Sequence, residues 1–453
     1  MKTRRFFSIF FAAVLTLSLW TVPAGAAEAP DVQAKAALVV DEKMGTVVYA
    51  KNEHQEMYPA SLTKIMTALL VLRAVEAGEL SLNEEITATE TAMEGLSADG
   101  STAGIKAGEV MTVENLLYCM LVVSANEACN ILGERVSGSV SRFVEAMNAE
   151  AKELGCENTH FMNPHGLHDD QHYSSAWDLY LITKAALEFP MFMTVCDTAA
   201  ITIPATNLSP ERPLRNTNYL ISGRSKDYLN PDAHGIKTGS HSQAGHCLVS
   251  SARRGSLGFI SVVLGTERIK RDDGIWWTYS FGETNRLFDW AFSNFVYQTV
   301  LNESDVAGEA PVSLSQEDHV TLRPAEAVEI LAPRDLDPES IEKVITLDTD
   351  PAEAPIAEGD KLGTLSVRVD GKEQASVDLL AYTDVEASRL LVLWRDTKDF
   401  FAKTHVKIAT GIAAALAALF GVWKAVFSKR RYRYGKSVGS GRSRNGYRGR
   451  RGR

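Results

Sequence analysis

A serine and a lysine lie three residues apart in the segment PASLTKIMTALL, residues 59–70, which is otherwise mostly apolar. Because residues three apart on a helix share one face, Ser61 and Lys64 are expected to point the same way. A serine hydroxyl becomes a nucleophile when a base takes its proton, and a lysine is such a base only when it is neutral. Burial and a second nearby cation both lower the pKa of a lysine. The pair therefore suggests a nucleophile and its base, although S-x-x-K also occurs by chance in structural helices.

Two further triplets carry residue types that would complete such a site. Residues 124–126, S-A-N, interrupt an apolar helical run, where a loop would expose a hydroxyl and an amide. Residues 237–239, K-T-G, precede an alternating segment, and the glycine would let a ligand backbone approach closely. The lysine of K-T-G is also the candidate second cation beside Lys64. Each triplet is weak alone, but S-x-x-K, S-x-N and K-T-G in this order form a specific combination.

The elements that must position these residues are indicated by hydrophobic periodicity and by turn residues. Two alternating runs around a short turn predict a hairpin over residues 36–50. Pro59 can start the helix that carries Ser61 and Lys64, and Gly78 can end it. The other predicted elements of this region are a helix in two pieces over 113–135, a helix over 176–188, two strands over 245–265 and a closing helix over 284–297.

The composition changes after about residue 303, where short alternating strands are separated by Pro- and Asp-rich breaks. This pattern predicts a separate small β domain. Residues 1–26 combine a basic start, an apolar run and a small-residue cleavage site, which is typical of a secretory signal peptide. Residues 408–427 are apolar and long enough to cross a bilayer core of ~30 Å.

The segment after this apolar run holds eleven Lys or Arg and no acidic residue. Because such segments stay in the cytoplasm, we expect a single-pass protein of the cell membrane with an extracytoplasmic catalytic domain. The expected limits are 1–26 for the signal peptide, 27–300 for the catalytic domain, 304–386 for the small β domain, 387–406 for an amphipathic stalk, 408–427 for the transmembrane helix and 428–453 for a basic, disordered cytoplasmic tail.

The charge and the cysteines of the chain limit its partners and its covalent structure. The net charge is −10 although both ends are basic, so the body between them is strongly acidic. Such a body is not expected to bind nucleic acid. The five cysteines are odd in number and show no paired spacing, which favours free buried thiols.

Together the three motifs and their flanking segments resemble the serine-type D-alanyl-D-alanine carboxypeptidases of peptidase family S11. These enzymes are the low-molecular-weight penicillin-binding proteins that trim peptidoglycan stem peptides. The resemblance covers roughly residues 32–386 and implies an α+β, penicillin-binding/β-lactamase-like domain. That domain has an antiparallel sheet with helices and a helical subdomain, and a small all-β domain and a C-terminal transmembrane helix would follow it. No cofactor and no metal are implied. The segments that carry the resemblance are YPASLTKIMTALL, GEVMTVENLLYCMLVVSANEAC, FMNPHGLHDDQHYSSAWDLYLI, HGIKTGSHSQAGHCLVSSARR and APIAEGDKLGTLSVRVDG.

The resemblance also implies a role for each matched residue. Ser61 would be acylated, Lys64 would accept its proton, and Ser124 and Asn126 would relay protons and bind the substrate amide. The backbone N–H groups of Ser61 and Ser240 would stabilise the oxyanion. D-alanine would leave, water would hydrolyse the acyl-enzyme, and a β-lactam would acylate Ser61 but deacylate slowly. The residues expected to bind the substrate are Lys237, Thr238, Gly239, Ser240 and Arg271, with Arg268 the less favoured alternative to Arg271.

This sequence departs from the family pattern after K-T-G, and one other stretch is compatible with a different function. Ser240 is followed by His241, where an aromatic residue or His followed by Thr is commoner. The stretch HGLHDDQH offers His165, His168 and His172 beside two aspartates as a metal site, but it lacks the H-E-x-x-H helix of metalloproteases.

Three further functions share some features with this sequence. A G-x-S-x-G elbow of a Ser-His-Asp hydrolase occurs only at 435–439, in the basic tail. A serine β-lactamase-like hydrolase shares the three motifs, but its Glu-x-x-Leu-Asn is missing between residues 127 and 236. A non-catalytic wall-binding scaffold would not need Ser61, Lys64 and Asn126 together.

Overall fold

The computed structural model describes residues 29–98 and 100–428, so the predicted signal peptide and almost all of the predicted tail lie outside the described residues. The chain divides into two compact units. The first consists of the described parts of Met1–Asn302, Glu326–Val344 and Ser366–Ser376, and the second of those of Glu303–Ala325, Ile345–Leu365 and Val377–Arg453.

The first unit contains a five-stranded antiparallel sheet and several two-stranded ribbons. Its strands before the change in composition are β1 Ala36–Asp41, β2 Val47–Lys51, β3 Glu85–Thr87, β4 Val110–Thr112, β5 Ala200–Ile203, β6 Arg212–Arg215, β7 Ala233–His241, β8 Gly245–Arg254, β9 Leu257–Thr266, β10 Arg268–Lys270, β11 Trp276–Thr278 and β12 Phe295–Leu301. The order in the main sheet is β2-β1-β9-β8-β7, and the ribbons pair β3 with β4, β5 with β6 and β10 with β11.

Helices fill the intervals between these strands. They are α1 Lys64–Glu76, α2 Val113–Val122, α3 Asn126–Ser137, α4 Val140–Glu153, α5 Ala176–Leu187, α6 Pro190–Cys196, α7 Tyr219–Ser222 and α8 Tyr279–Asn294. Short 3₁₀ turns at Ala60–Thr63 and Thr91–Met93 complete the unit. The predicted hairpin, the broken helix around residues 124–126, the helix over 176–188 and the paired strands over 245–265 are confirmed.

The main sheet is covered on both faces, which is why strand β1 is buried along its whole length. Ala37 and Val39 point to one cluster, which includes Phe288 of α8. Leu38 and Val40 point to the opposite cluster, which includes most of α1. Successive side chains of a strand alternate between faces, so a strand with a helix layer on each side is apolar at every position.

The closing helix differs from its prediction over 284–297. It spans Tyr279–Asn294, and residues 295–297 belong to β12, which pairs with β15, Val328–Pro333. Extending the helix through residue 297 was therefore wrong. The segment FVYQTVL that forms β12 is rich in β-branched and aromatic residues, which fit a pleated surface better than a helix.

The rest of the chain forms a second sheet and two terminal helices. The strands are β13 Gly308–Ser313, β14 His319–Pro324, β16 Glu342–Leu347, β17 Ala352–Glu353, β18 Lys361–Val369 and β19 Lys372–Ala381, in the order β16-β18-β19-β14-β13-β17. The helices are α9 Arg389–Ala402 and α10 Thr404–Ser428. Within α10, residues Thr404–Phe427 have a mean hydropathy of 1.8, and this is the one helix of the described residues that is long and apolar enough to cross a membrane unbroken.

Candidate active site

Ser61 lies in the 3₁₀ turn that leads into helix α1, and Lys64 is the first residue of that helix. A 3₁₀ helix has three residues per turn, so side chains at i and i+3 lie directly above one another. The amine Nζ of Lys64 is 3.0 Å from Oγ of Ser61. The sequence predicted a regular helix here, and the tighter turn produces the same pairing by a different geometry.

The other two contacts of the Lys64 amine determine which way its lone pair can point. Nζ lies 2.8 Å from Oδ1 of Asn126 and 2.6 Å from the backbone oxygen of His165. Both of these atoms only accept hydrogen bonds. A neutral amine has two hydrogens, which it can donate to them, and one lone pair, which then faces the hydroxyl of Ser61. This is the arrangement that a general base requires.

Burial makes the neutral form of Lys64 accessible. The side chain has no exposed surface, and burial lowers its pKa to about 8, against the opposing influence of Cys129 and Glu127. We expected the second lysine to contribute to this shift. Charge repulsion between two amines is mutual, and burial together with the charge of Lys64 lowers the pKa of Lys237 to about 7.

Lys237 extends from strand β7 to the second triplet. Its side chain is 1% exposed, and Nζ donates to Oγ of Ser124 and to the backbone oxygen of Thr238, both at 3.0 Å. Ser124 lies in the break between α2 and α3 and has a φ of +66°. This left-handed conformation is uncommon for a residue other than glycine and is often found at functional sites. The three motifs therefore meet in one place.

The break between α2 and α3 is held by residues 101–103 of a neighbouring loop. The backbone N–H of Asn126 donates to the oxygen of Ser101 at 2.9 Å. The carboxylate of Glu127 accepts from the Thr102 hydroxyl at 2.7 Å and from the Ala103 N–H at 2.8 Å. These contacts fix the position of the Asn126 amide beside Lys64.

Gly239 allows strand β7 to pass close to the 3₁₀ turn that carries Ser61. A Cβ atom at this position would lie 2.8 Å from the oxygen of Pro59 and 3.1 Å from the nitrogen of Ser61. Any side chain would therefore push the strand and the turn apart. The next residue, Ser240, pairs with His246 in the β7–β8 register.

The three motifs open onto a cavity of about 220 Å³. Ser61, Ser124 and Thr238 line it, together with the guanidinium-bearing residues Arg224 and Arg268. Cationic side chains and hydroxyls that line a cavity suit a carboxylate ligand. The remaining lining residues are Ser101, Thr217, Tyr219, Gly239, Ser240, His246, Cys247, Trp276, Thr278, Ser280 and Phe281.

Arg271, the favoured carboxylate contact from sequence, is not among the lining residues of this cavity. Its side chain is 3.6 Å from Asp273 and lies over the ring of Trp277. The structure thus brings Arg268, the less favoured alternative, to the cavity. Arg268 lies on the short strand β10, and Arg271 directly follows that strand.

The three histidines of HGLHDDQH make contacts with different parts of the structure. The backbone oxygen of His165 accepts from Lys64, and the imidazole of His172 contacts Thr63. His168 packs its ring against Tyr58 and His241. Within residues 29–98 and 100–428, the side chains of His, Cys, Asp and Glu form no group of three or more that could hold a metal ion.

Sequence reasoning missed several residues of the site. Thr217 places its hydroxyl 2.7 Å from that of Thr238. Tyr219 and Phe281 stack in parallel, with ring centroids 5.0 Å apart, on the cavity wall. None of these residues belongs to a motif, and lone aromatic or hydroxyl residues give no signal in a single sequence.

Comparisons with known proteins agree with this geometry. Residues 24–268 match the family described as D-alanyl-D-alanine carboxypeptidase, Peptidase_S11. Residues 295–387 match the family described as penicillin-binding protein 5, C-terminal domain.

Individual relatives align along most of their length. D-alanyl-D-alanine carboxypeptidase DacF of Bacillus subtilis is 31% identical, over 82% of this chain and 90% of that protein. DacC of Escherichia coli is also 31% identical, over 79% of this chain and 86% of that protein.

A solved structure gives the same result. The crystal structure of penicillin binding protein 5 from Haemophilus influenzae superposes with a TM-score of 0.63 at 29% identity, covering 79% of this chain and 99% of that one. The chain is thus a peptidase, and it belongs to the D-alanyl-D-alanine carboxypeptidase family, peptidase family S11.

Proposed function

We propose that this chain removes the terminal D-alanine from peptidoglycan stem pentapeptides through an acyl-enzyme formed on Ser61. The observation that carries the proposal is the Lys64 amine, which has two acceptor-only partners and the Ser61 hydroxyl as its third contact. Such an amine can take the hydroxyl proton without first rearranging its other bonds.

In the acylation step, the Ser61 proton passes to Lys64 while Oγ attacks the carbonyl carbon of the penultimate D-alanine. The negative charge on the carbonyl oxygen is stabilised by the backbone N–H groups of Ser61 and Ser240, where one donor contributes about 10²–10³ in rate. The C–N bond then breaks, and the amine of the leaving D-alanine takes up the proton. The Ser124 hydroxyl, bonded to Lys237, supports a relay of this proton.

The terminal carboxylate of the substrate would bind to Thr238 and Arg268, with Lys237 adding positive potential. The guanidinium and hydroxyl groups that line the cavity support this orientation. Arg271 would contribute only if its present pairing with Asp273 were broken. Water would then hydrolyse the ester of Ser61, again with Lys64 as the base.

β-Lactams would acylate Ser61 by the same attack, because their amide carbonyl can occupy the same position. The opened ring keeps its leaving nitrogen attached, so the adduct remains in the cavity and excludes water. We therefore expect a long-lived penicillin adduct.

We also propose that α10 anchors the chain in the cell membrane, with the catalytic domain outside. The length and hydropathy of Thr404–Phe427 support the anchor, and the exposed side chains of Ile412, Leu416 and Leu419 suit lipid contact. The orientation rests on the basic sequence of residues 428–453.

Mass spectrometry of the intact protein with and without penicillin tests the proposal, combined with release of D-alanine from a pentapeptide ending in D-Ala-D-Ala. We expect one adduct per chain on the peptide that contains Ser61, and none in Ser61→Ala. Ser256→Ala, in the turn between β8 and β9, is the matched control and should behave as the parent protein. Rapid penicillin turnover without an adduct would instead indicate a β-lactamase, and a chain with neither activity would be a scaffold.

A further inference from the structure

One histidine of HGLHDDQH has no part in the mechanism above, although it is buried against the nucleophile turn. His172 is 2% exposed. Its Nδ1 accepts a hydrogen bond from the backbone N–H of Met162 at 3.1 Å, and its Nε2 lies 2.8 Å from Oγ1 of Thr63. A backbone N–H always donates, so Nδ1 carries no hydrogen. The neutral ring therefore has its hydrogen on Nε2 and donates it to Thr63.

The hydroxyl of Thr63 extends this series of hydrogen bonds to Ala60, the residue before Ser61. Its single hydrogen is donated to the backbone oxygen of Ala60 at 2.8 Å. The bonds from Met162 through His172 and Thr63 to Ala60 thus all run in one direction. The same oxygen is enclosed by Gly166, where a Cβ atom would come within 1.9 Å of it.

Ala60 has a backbone conformation that needs such support. Its φ is +48°, in the left-handed region, which costs an L-residue about 1–2 kcal/mol. The oxygen of Ala60 and the N–H of Ser61 belong to one planar trans peptide and point in opposite directions. Whatever holds the oxygen inward therefore aims the Ser61 N–H outward, to the side where Gly239 passes.

We propose that His172 is a positioning residue that aims the Ser61 N–H at the substrate oxyanion, acting through Thr63 and the carbonyl of Ala60. The inference rests on the proposed function, because it assigns a task to the oxyanion hole of that mechanism. His172 itself does not line the cavity and is not among the hydrogen-bond partners of the Lys64 amine. Without its hydrogen bond, the Ala60–Ser61 peptide can rotate towards a less strained conformation, and the oxyanion loses part of one donor.

The test compares His172→Leu, which removes the donor, with His172→Gln, which retains an N–H that can reach Thr63. Penicillin acylation is followed in the full-length protein, and the acylation rate constant is separated from the affinity of the initial complex. Because loss of a whole oxyanion donor costs about 10²–10³, we expect His172→Leu to slow acylation about tenfold to hundredfold. Affinity should hardly change, and His172→Gln should recover most of the rate.

A second measurement separates positioning from general damage to the fold. Infrared spectra of the penicillin acyl-enzyme report the stretching frequency of the Ser61 ester carbonyl, which falls when the oxyanion hole donates to it. We expect a higher frequency in His172→Leu and in Thr63→Val, and no additive effect when both are combined, because they interrupt the same chain. His160→Leu, a change in the same region that leaves this chain intact, is the control.

The outcomes distinguish the inference from the function on which it rests. An unchanged acylation rate and an unchanged carbonyl frequency in His172→Leu overturn the inference alone, as does a His172→Gln variant that is as slow as His172→Leu. A wild-type protein that forms no adduct on Ser61 overturns the proposed function and the inference with it. Should His172→Leu fail to fold, Thr63→Val and Thr63→Ser provide the same comparison.

Discussion

At the scale of single residues, the site depends on two lysines removed from water. Burial lowers the pKa of Lys64 to about 8 and that of Lys237 to about 7. Their titrations are coupled, since the protonated Lys64 amine lowers the pKa of Lys237. The apparent pKa values then belong to the pair, and near neutral pH the pair holds about one proton. In the proposed mechanism, the reactive form is the one in which this proton resides on Lys237.

This sharing of one proton predicts a bell-shaped pH dependence of penicillin acylation. Below the lower apparent pKa both amines are charged, so Lys64 cannot act as a base and the rate falls as the pH falls. Above the higher one both are neutral, the positive potential beside Thr238 is lost, and the rate falls as the pH rises. We expect the maximum between about pH 7 and about pH 8, measured as the second-order rate constant of acylation.

Lys237→Arg tests whether the loss of rate at high pH comes from deprotonation of Lys237 and the loss at low pH from protonation of Lys64. A guanidinium stays charged throughout this range, so the variant should lose the decline at high pH and keep the rise at low pH. Each rate is expressed relative to the maximum of the same variant, which removes any general loss from the larger side chain. A decline at high pH that persists in Lys237→Arg would contradict the assignment.

At the scale of elements, three short segments bring the motifs together: the 3₁₀ turn Ala60–Thr63, the break between α2 and α3, and strand β7. The sequence was sufficient to predict the hairpin, the broken helix, the helix over 176–188 and the paired strands β8 and β9, because those follow from periodicity and from glycine and proline positions. It predicted neither strand β7 nor helix α4. It could not predict the left-handed φ of Ala60, since alanine does not favour that conformation. The hydroxyl of Thr63 holds it there, together with Gly166 and His172, which lie about a hundred positions away.

The cavity wall shows the same limit of sequence reasoning. Arg268 and Arg271 have similar surroundings in sequence, and the choice between them depends on which one the β10–β11 ribbon turns towards Thr238. The hydroxyl pair of Thr217 and Thr238 joins residues that periodicity cannot relate. The motif residues therefore predicted the chemistry of the site. Tertiary contacts determine which further side chains, such as Arg268 and Thr217, line the cavity beside them.

Strand β7 passes close to the 3₁₀ turn that carries Ser61, and this gives a prediction for Gly239→Ala. The added Cβ would meet backbone atoms of Pro59 and Ser61, which cannot move aside as a flexible side chain can. Overpacking of this kind costs about 1–3 kcal/mol in unfolding free energy. Because the oxyanion donors also separate, acylation should slow by about 10². Stopped-flow acylation and thermal unfolding measure the two effects.

Gly258→Ala, on strand β9 of the same sheet, is the matched control for Gly239→Ala. Its added Cβ would mainly meet the carboxylate end of Glu42, which is flexible. We expect it to acylate at the parental rate. Equal acylation by Gly239→Ala and the parent would show that the close approach has no role in the reaction.

At the scale of the whole molecule, the chain joins an acidic enzyme body to an apolar terminal helix. Residues 24–268 match the carboxypeptidase family and residues 295–387 match the C-terminal domain of penicillin-binding protein 5, and α10 follows both. The helix contributes no residue to the cavity around Ser61. Membrane attachment and acylation should therefore be separable properties of the chain.

The double variant Ile412→Asp/Leu416→Asp tests this separation in the full-length protein. Both side chains are exposed on α10, one helical turn apart, and near its middle. An aspartate at the centre of a membrane helix costs about 2.5–3.5 kcal/mol, so two of them should prevent stable insertion. After cell fractionation and a carbonate wash, fluorescent-penicillin labelling should move from the membrane to the soluble fraction, while the rate of labelling stays the same.

Ile412→Leu/Leu416→Ile preserves the apolar surface at the same positions and should remain in the membrane. Retention of the aspartate variant in the washed membrane would mean that another part of the chain holds it there.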